Sequence, residues 1–184
     1  MKERPILFSG PMVRAILEGR KTQTRRIAKL TDAGRVKLVR SCRNWHVGDD
    51  DAIKACPYGV PGDRLWVREA WSTDPCYDHI MPSRLRTEWP VYYDSGPGLV
   101  ITLGFHRVRP SIHMPRWASR LTLEVASIRV ERLQEISDGD AKAEGVSGID
   151  EYAHLWDSIN GVGAWALNPL VWVVEFKKME GLTR

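Results

Sequence analysis

The chain has 184 residues, 43% of them hydrophobic, including eight tryptophans. This composition excludes an intrinsically disordered protein, because the apolar residues suffice for a core, and the length favours a single domain. No stretch approaches the roughly 18 apolar residues of a membrane span, the charged N-terminus does not resemble a secretory signal, and three cysteines argue against a disulfide framework. We therefore expect a cytoplasmic protein without a membrane partner.

The predicted elements begin with a short strand at residues 6–8 and a helix that is followed by Gly19. Glycine commonly follows a helix because it adopts left-handed backbone angles without strain. A second strand is expected within residues 22–27. Apolar residues at helical spacing predict the buried face of the first helix: Val13, Ile16 and Leu17.

Strands dominate the rest of the prediction. Two weaker strands are expected at residues 91–93 and 99–105. Ser137 is expected to begin a short helix that ends at Gly145. Because strands outnumber helices, we predict a mainly β protein of the α+β class, a small β-barrel flanked by short helices. Alternating or continuous apolar patterns predict three strands of one mainly antiparallel sheet: residues 63–69, 121–131 and 170–177. A second helix is expected to bury an apolar stripe: Tyr152, Leu155, Trp156 and Ile159.

Two segments, near residues 28–57 and 72–112, show little hydrophobic periodicity. We interpret them as long loop insertions into a single domain that spans residues 1–184. No two cysteines have the C-x-x-C spacing of strong zinc modules, so we predict neither a metal nor a cofactor. The insertions do contain residue types that bind zinc: Cys42, His46, Cys56, Cys76 and His79.

Positive charge is concentrated in residues 14–43. This segment contains ten lysine or arginine residues but only two acids, Glu18 and Asp32, although the whole chain has a net charge of only +4. A segment of this kind attracts phosphates and other anions. It is a candidate contact for nucleic acid, with a solvated basic face as the alternative.

Within the basic segment, the sequence GRKTQTRR places Lys21 three residues before Thr24. On a regular strand these side chains would point to opposite faces, whereas a turn after Gly19 would let them converge. Burial and neighbouring arginines lower the pKa of a lysine toward the range in which it acts as a base. A threonine hydroxyl beside such an amine is a candidate nucleophile. Taken alone, the pattern equally fits a solvated turn or a phosphate-binding surface.

The sequence EGRKTQTRR resembles the G-x-K-x-x-x-x-R signature of ASCH domains, a family of PUA-like β-barrels, through Gly19, Lys21 and Arg26. PGDRLWV, LTLEVASIRVERLQEISDGDAKAEG and VWVVEFK follow in the family's order, and roughly half of the chain is covered. GRKTQTR and Glu144 resemble the bacterial ASCH-domain amidohydrolases that remove the acyl group from N4-acetylcytidine. The whole sequence is also similar to longer ASCH-domain proteins of phages and prophages.

The resemblance implies a catalytic set of Lys21, Thr24 and Glu144. Thr24 would attack the acyl carbonyl, Lys21 would accept its proton, and Glu144 would relay a proton or hold Lys21. In the alternative mechanism Glu144 activates water while Lys21 and Thr24 bind the oxyanion.

Arginines and one tryptophan are the candidate substrate-binding residues. An aromatic ring beside arginines suits stacking on a base and contact with phosphate, with a core tryptophan as the alternative reading. The candidates are Arg20, Arg25, Arg26, Arg116 and Trp117.

We therefore expect an amidohydrolase that removes the N4-acyl group from N4-acetylcytidine or a related modified cytosine, with a nucleoside or RNA as its partner. Two alternatives stay open. One is a non-catalytic RNA-binding or modified-base-reading module. The other is a ribonuclease, although the sequence shows neither a metal–carboxylate cluster nor paired histidines to support it.

Overall fold

The computed structural model describes residues 1–28, 56–93 and 107–179. The strands are Glu3–Leu7 (β1), Gln23–Ile27 (β2), Arg64–Arg68 (β3), Trp71–Thr73 (β4), Val91–Tyr93 (β5), Thr122–Arg132 (β6) and Leu170–Lys178 (β7). The α-helices are Gly10–Leu17 (α1), Asp138–Ala143 (α2) and Ile149–Asn160 (α3). Single-turn 3-10 helices lie in the connections, among them Arg116–Ala118.

Five of the strands form one sheet in the order β1-β3-β6-β7-β2. β1 and β3 are parallel, and every other neighbouring pair is antiparallel. The three strands predicted at residues 63–69, 121–131 and 170–177 are therefore confirmed as neighbours or near neighbours in one mainly antiparallel sheet. β4 and β5 pair with each other in a separate two-stranded sheet.

The α+β class is confirmed, but the sheet that the described strands form is open rather than a closed barrel. β1 and β2 are its two edges, and α1 connects them along the chain. In place of a backbone ladder between the edges, the Arg26 side chain donates a hydrogen bond of 2.7 Å to the carbonyl of Leu7. The Arg26 guanidinium also lies 5.3 Å from the centre of the Phe8 ring.

β7, an interior strand of the sheet, is buried on both faces, as its continuous apolar run predicts. Val171 and Val173 pack on one face against α2 and α3, through Ala141, Tyr152 and Trp156. The alternate residues of β7 point to the other face and join the main core, which includes the inner side of α1: Leu170, Trp172, Val174 and Phe176.

The helix boundaries follow the predicted signals. The Ser137 hydroxyl accepts a hydrogen bond from the Asp140 amide at the start of α2, and Gly145 has a φ of +94° just beyond its end. Two predicted core positions are wrong, because Leu17 and Ile159 are 36% and 53% exposed. Both lie in the last turn of their helices.

Part of the second predicted insertion folds around its own small core. β4, β5 and several 3-10 turns surround four buried residues: Trp71, Leu85, Met114 and Ala118. The predicted strand at residues 91–93 is confirmed as β5, whereas residues 99–105 and most of the segment 28–57 lie outside the described residues. Among the helices that the structure describes, none has the length and apolar composition needed to cross a membrane.

Candidate active site

Lys21 and Glu144 form a buried pair. The Lys21 ammonium nitrogen lies 2.6 Å from Glu144 Oε2 and also donates a hydrogen bond of 2.8 Å to the Glu144 backbone carbonyl. The two side chains are 0% and 3% exposed, although 123 residues separate them in the chain. Removing one partner of such a pair leaves an uncompensated buried charge, which typically costs about 3–5 kcal/mol.

The backbone after α1 positions Lys21 against the end of α2. The Lys21 amide donates to the carbonyl of Ala15, and the Thr22 amide donates to the carbonyl of Ala143. Gly145 permits the close approach, because a Cβ there would lie 3.1 Å from Ala15 Cβ and 3.3 Å from Lys21 Cβ. Its positive φ favours glycine for an independent reason.

Thr24 lies in β2, opposite Val174 of β7, and is buried. It lines a cavity of about 50 Å³ together with Arg25, Arg26 and Glu144. The other wall comes from Met12 and from residues of α3, of which Ile159 and Asn160 are exposed. A space of this size holds one or two water molecules. Lys21 does not line this cavity.

Arg25 is fully buried among carboxylates. Its Nη2 lies 2.5 Å from Glu131 Oε1 and 3.4 Å from Asp140 Oδ2, and its Nη1 lies 3.6 Å from Glu144 Oε1. Arg25 Nε, Arg25 Nη1 and Glu144 Oε1 have no hydrogen-bond partner within the part of the chain that the structure describes. Buried donors and acceptors are seldom left unpaired. Arg25 and Glu144 therefore offer polar atoms to a water or ligand in the cavity.

Arg129 extends these contacts toward the surface. It lies 3.0 Å from Glu131 Oε2, 3.0 Å from Asp140 Oδ1 and 2.5 Å from Glu175 Oε1. Arg129, Glu131 and Asp140 were missed by the sequence analysis. Because side chains alternate along a strand, positions 129 and 131 of β6 lie on one face, and this pattern could have indicated that Arg129 and Glu131 are neighbours. We refer to the connected residues as the charge network: Lys21, Arg25, Arg129, Glu131, Asp140, Glu144 and Glu175.

The buried environment of the site changes the pKa values of Lys21 and Tyr152. Burial lowers the pKa of Lys21; the charge of Glu144 opposes this change, and the charges of Arg26 and Arg25 add to it. The expected lowering is therefore confirmed in direction, with burial rather than the arginines as its main cause. Burial also raises the pKa of the Tyr152 hydroxyl, and the negative charge of Glu144 raises it further. Tyr152 thus keeps its proton at neutral pH.

The predicted substrate-binding residues do not lie together. Arg25 and Arg26 line the cavity. Arg20 is exposed, pairs with Glu18 and donates to the carbonyl of Gly145. Arg116 and Trp117 lie away from this cavity, because the 3-10 turn Arg116–Ala118 packs on the small second core around Trp71. Arg116 pairs with Glu3 at 2.9 Å, and Trp117 packs edge-on against Trp71 at 6.3 Å.

The zinc-type residues that the structure describes are also dispersed. Cys56 is buried in the main core, and burial raises the pKa of its thiol to about 11. Cys76 is exposed, while Cys42 and His46 lie outside the described residues. Within the described ranges, no group of three or more His, Cys, Asp or Glu side chains is arranged to hold a metal ion.

Comparisons with models of protein families, with curated proteins and with solved structures found no match. Lys21 fixes one oxygen of the Glu144 carboxylate, and the other oxygen, 3.6 Å from Arg25 Nη1, has no hydrogen-bond partner among the described residues. A carboxylate held in this way can accept a proton from water. The unpartnered N–H groups of Arg25 can stabilise a developing oxyanion nearby.

Proposed function

We propose that this protein is an ASCH-type, PUA-like amidohydrolase that removes the N4-acyl group from N4-acetylcytidine or a related modified cytosine. The observation that carries the proposal is the Glu144 Oε1 oxygen, which has no hydrogen-bond partner among the described residues. It is buried, lies at a cavity that also contains Thr24, and belongs to a carboxylate whose other oxygen is held by Lys21. The resemblance of GRKTQTR and Glu144 to deacylating ASCH-domain enzymes supports the same chemistry.

In the proposed mechanism Glu144 Oε1 accepts a proton from a water in the cavity, and the resulting hydroxide attacks the acyl carbonyl carbon. The Arg25 N–H groups and the Thr24 hydroxyl donate hydrogen bonds to the tetrahedral oxyanion. Glu144 then delivers the proton to the N4 nitrogen as the C–N bond breaks, which yields the free carboxylic acid and the cytosine amine. Lys21 keeps Glu144 in place throughout.

The contacts of Lys21 favour this mechanism over direct attack by Thr24. Both hydrogen bonds of the Lys21 ammonium go to Glu144, and within the described residues neither Lys21 nor another base hydrogen-bonds to the Thr24 hydroxyl. An activated nucleophile needs a base within about 3 Å. Direct attack would therefore require Lys21 to leave Glu144.

The size of the cavity restricts how a substrate binds. About 50 Å³ accommodates an acetyl group but not a nucleoside. We propose that the acyl group enters between β2 and α3 and that the pyrimidine ring stays at the mouth, beside the exposed Ile159 and Asn160.

Hydrolysis of N4-acetylcytidine to cytidine, followed by chromatography, tests the proposal. We expect Glu144→Gln to lower kcat by about a hundredfold or more, because it removes the general base. Thr24→Val should lose only about tenfold, because it removes one hydrogen bond to the oxyanion. Glu124→Gln, an exposed glutamate of β6, is the matched control and should retain full activity.

The relative losses identify the mechanism. A loss of a hundredfold or more in Thr24→Val, with an unchanged thermal midpoint, would favour direct attack by Thr24. Absence of turnover by the parent protein on both N4-acetylcytidine and acylated RNA would contradict the proposal.

The second candidate function is a modified-base-reading or RNA-binding module without catalysis. The burial of the Lys21 ammonium against Glu144, which accepts both of its hydrogen bonds, favours it, because such a pair can be purely structural. Binding of N4-acetylcytidine without turnover, measured by calorimetry, would support this candidate.

A further inference from the structure

A second concave region lies outside the charge network. It has a volume of about 600 Å³ and shares no lining residue with the cavity at Glu144. We refer to it as the basic cleft and define it by the cationic and titratable side chains that line it: Arg68, His79, Arg107, Arg109 and His113. Asp78 is the one acidic residue that lines it within the described part of the chain.

Two of the arginines organise the cleft through backbone carbonyls. Arg68, the last residue of β3, donates hydrogen bonds to the carbonyls of Met114 and Ile112. Arg109 donates to the carbonyl of Tyr77 at 2.9 Å and to that of Asp78 at 3.4 Å. These contacts hold the turns on both sides of the cleft at fixed positions.

A carbonyl acceptor orients a guanidinium without cancelling its charge. Within the described residues, Arg68, Arg107 and Arg109 form no ion pair with a carboxylate. Asp78 Oδ2 instead accepts a hydrogen bond from the Arg107 backbone amide. The cleft therefore keeps a net positive charge in a concave, partly desolvated surface, which concentrates the field on an anion.

The floor of the cleft is apolar and suits an organic anion better than a bare ion. Ile80, Met81 and Met114 line it, together with several prolines. A nucleotide presents both required chemistries, because its phosphate is anionic while its base has an apolar face. In a duplex the bases are stacked and paired, so only an unpaired strand can place base faces on the floor.

We infer that the basic cleft binds single-stranded nucleic acid, with Arg68, Arg107 and Arg109 on its phosphates and the bases over the apolar floor. This inference does not rest on the hydrolytic function proposed above. Binding is measured with an unmodified strand, so a failure of deacylation and a failure of strand binding are separate results.

The test is fluorescence anisotropy with a labelled oligouridine of about 12 nucleotides. We expect binding by the parent protein to weaken with salt, with a slope of log K against log salt of about −2 for three phosphate contacts. Arg107→Gln removes an exposed side chain and should weaken binding about fivefold near 0.1 M salt, reducing the slope by about 0.7. Arg107→Lys keeps the charge and should restore most of the affinity.

Arg132→Gln is the matched control, because Arg132 is an exposed arginine at the end of β6 that lies outside both the cleft and the basic segment 14–43. An equal loss of affinity in Arg132→Gln would overturn the inference and indicate a diffuse charge effect. Equally tight binding of polyglutamate or of a duplex would also overturn it. Binding of inorganic phosphate or UMP by a protein that does not bind the strand would overturn it as well.

Discussion

The charge network and the basic cleft both contain buried or half-buried arginines, but the arginines have different partners. Arg25 and Arg129 contact the carboxylates of Glu131 and Asp140, whereas Arg68 and Arg109 donate to backbone carbonyls. Carboxylates cancel the charge of a cation and make it part of the fold. Carbonyls orient the cation and leave its charge available to a ligand. Positive residues alone therefore do not locate an anion site; the identity of their acceptors does.

The largest expected effect is the loss of protein stability when one partner of the Lys21–Glu144 pair is removed. Lys21→Met should lower the free energy of unfolding by about 3–5 kcal/mol, because the buried Glu144 carboxylate then loses its closest counter-charge and both hydrogen bonds from Lys21. The double variant Lys21→Met/Glu144→Gln should lose clearly less than the sum of the single variants. Urea denaturation measures both.

Arg68→Met, the matched change in the basic cleft, should cost only about 1 kcal/mol, because it leaves neutral carbonyls rather than a charge. Equal losses at Lys21 and Arg68 would contradict the comparison.

The next effect concerns the close approach that brings Lys21 to Glu144. Gly145→Ala should cost about 2 kcal/mol or more, because the new Cβ meets Ala15 and Lys21 in addition to the strain of a positive φ. Gly19→Ala is the control, since Gly19 also has a positive φ but has no atom within 4 Å of the added Cβ. It should cost about 1 kcal/mol. If thermal unfolding gives the same loss for both, the close approach at Gly145 has no energetic role.

A smaller effect is expected from the alkaline titration of Tyr152. Because its pKa is raised above the ordinary value of 10.0, the folded state binds the proton more tightly than the unfolded state. Stability should therefore be complete below pH 10 and fall as the pH rises above it, by about 1 kcal/mol at pH 11. Tyr152→Phe should show a correspondingly shallower decrease in the free energy of unfolding. A parallel pH dependence in the two proteins would indicate that the Tyr152 proton is not held by this environment.

The smallest effect is expected in the basic cleft itself. Arg107→Gln should raise the free energy of unfolding by about 0.5 kcal/mol at low salt, because it relieves repulsion with Arg109, and the gain should vanish at about 1 M salt. Arg14→Gln should instead lower the free energy of unfolding, because Arg14 lies in the last turn of α1, where the helix dipole favours a cation. A salt-independent loss of stability in Arg107→Gln would mean that Arg107 is a structural residue.

Local patterns in the sequence determined much of the fold. The alternating strand at β3, the long strand β6, the continuous apolar strand β7 and the Ser137 cap with Gly145 were predicted, because side-chain periodicity and capping depend only on neighbouring residues. The sequence also directed attention to Lys21, Thr24 and Glu144, through their resemblance to ASCH-domain enzymes.

Only the tertiary structure decided how the charged residues are used. It buried Lys21 on Glu144 and Arg25 on Glu131, which are 123 and 106 residues away in the chain. It placed Arg116 against Glu3 and Trp117 against Trp71, apart from the cavity. It also left the sheet of the described strands open, with β1 and β2 at its two edges. The energy of a charge depends on its burial and on its nearest counter-charge, and long-range contacts set both.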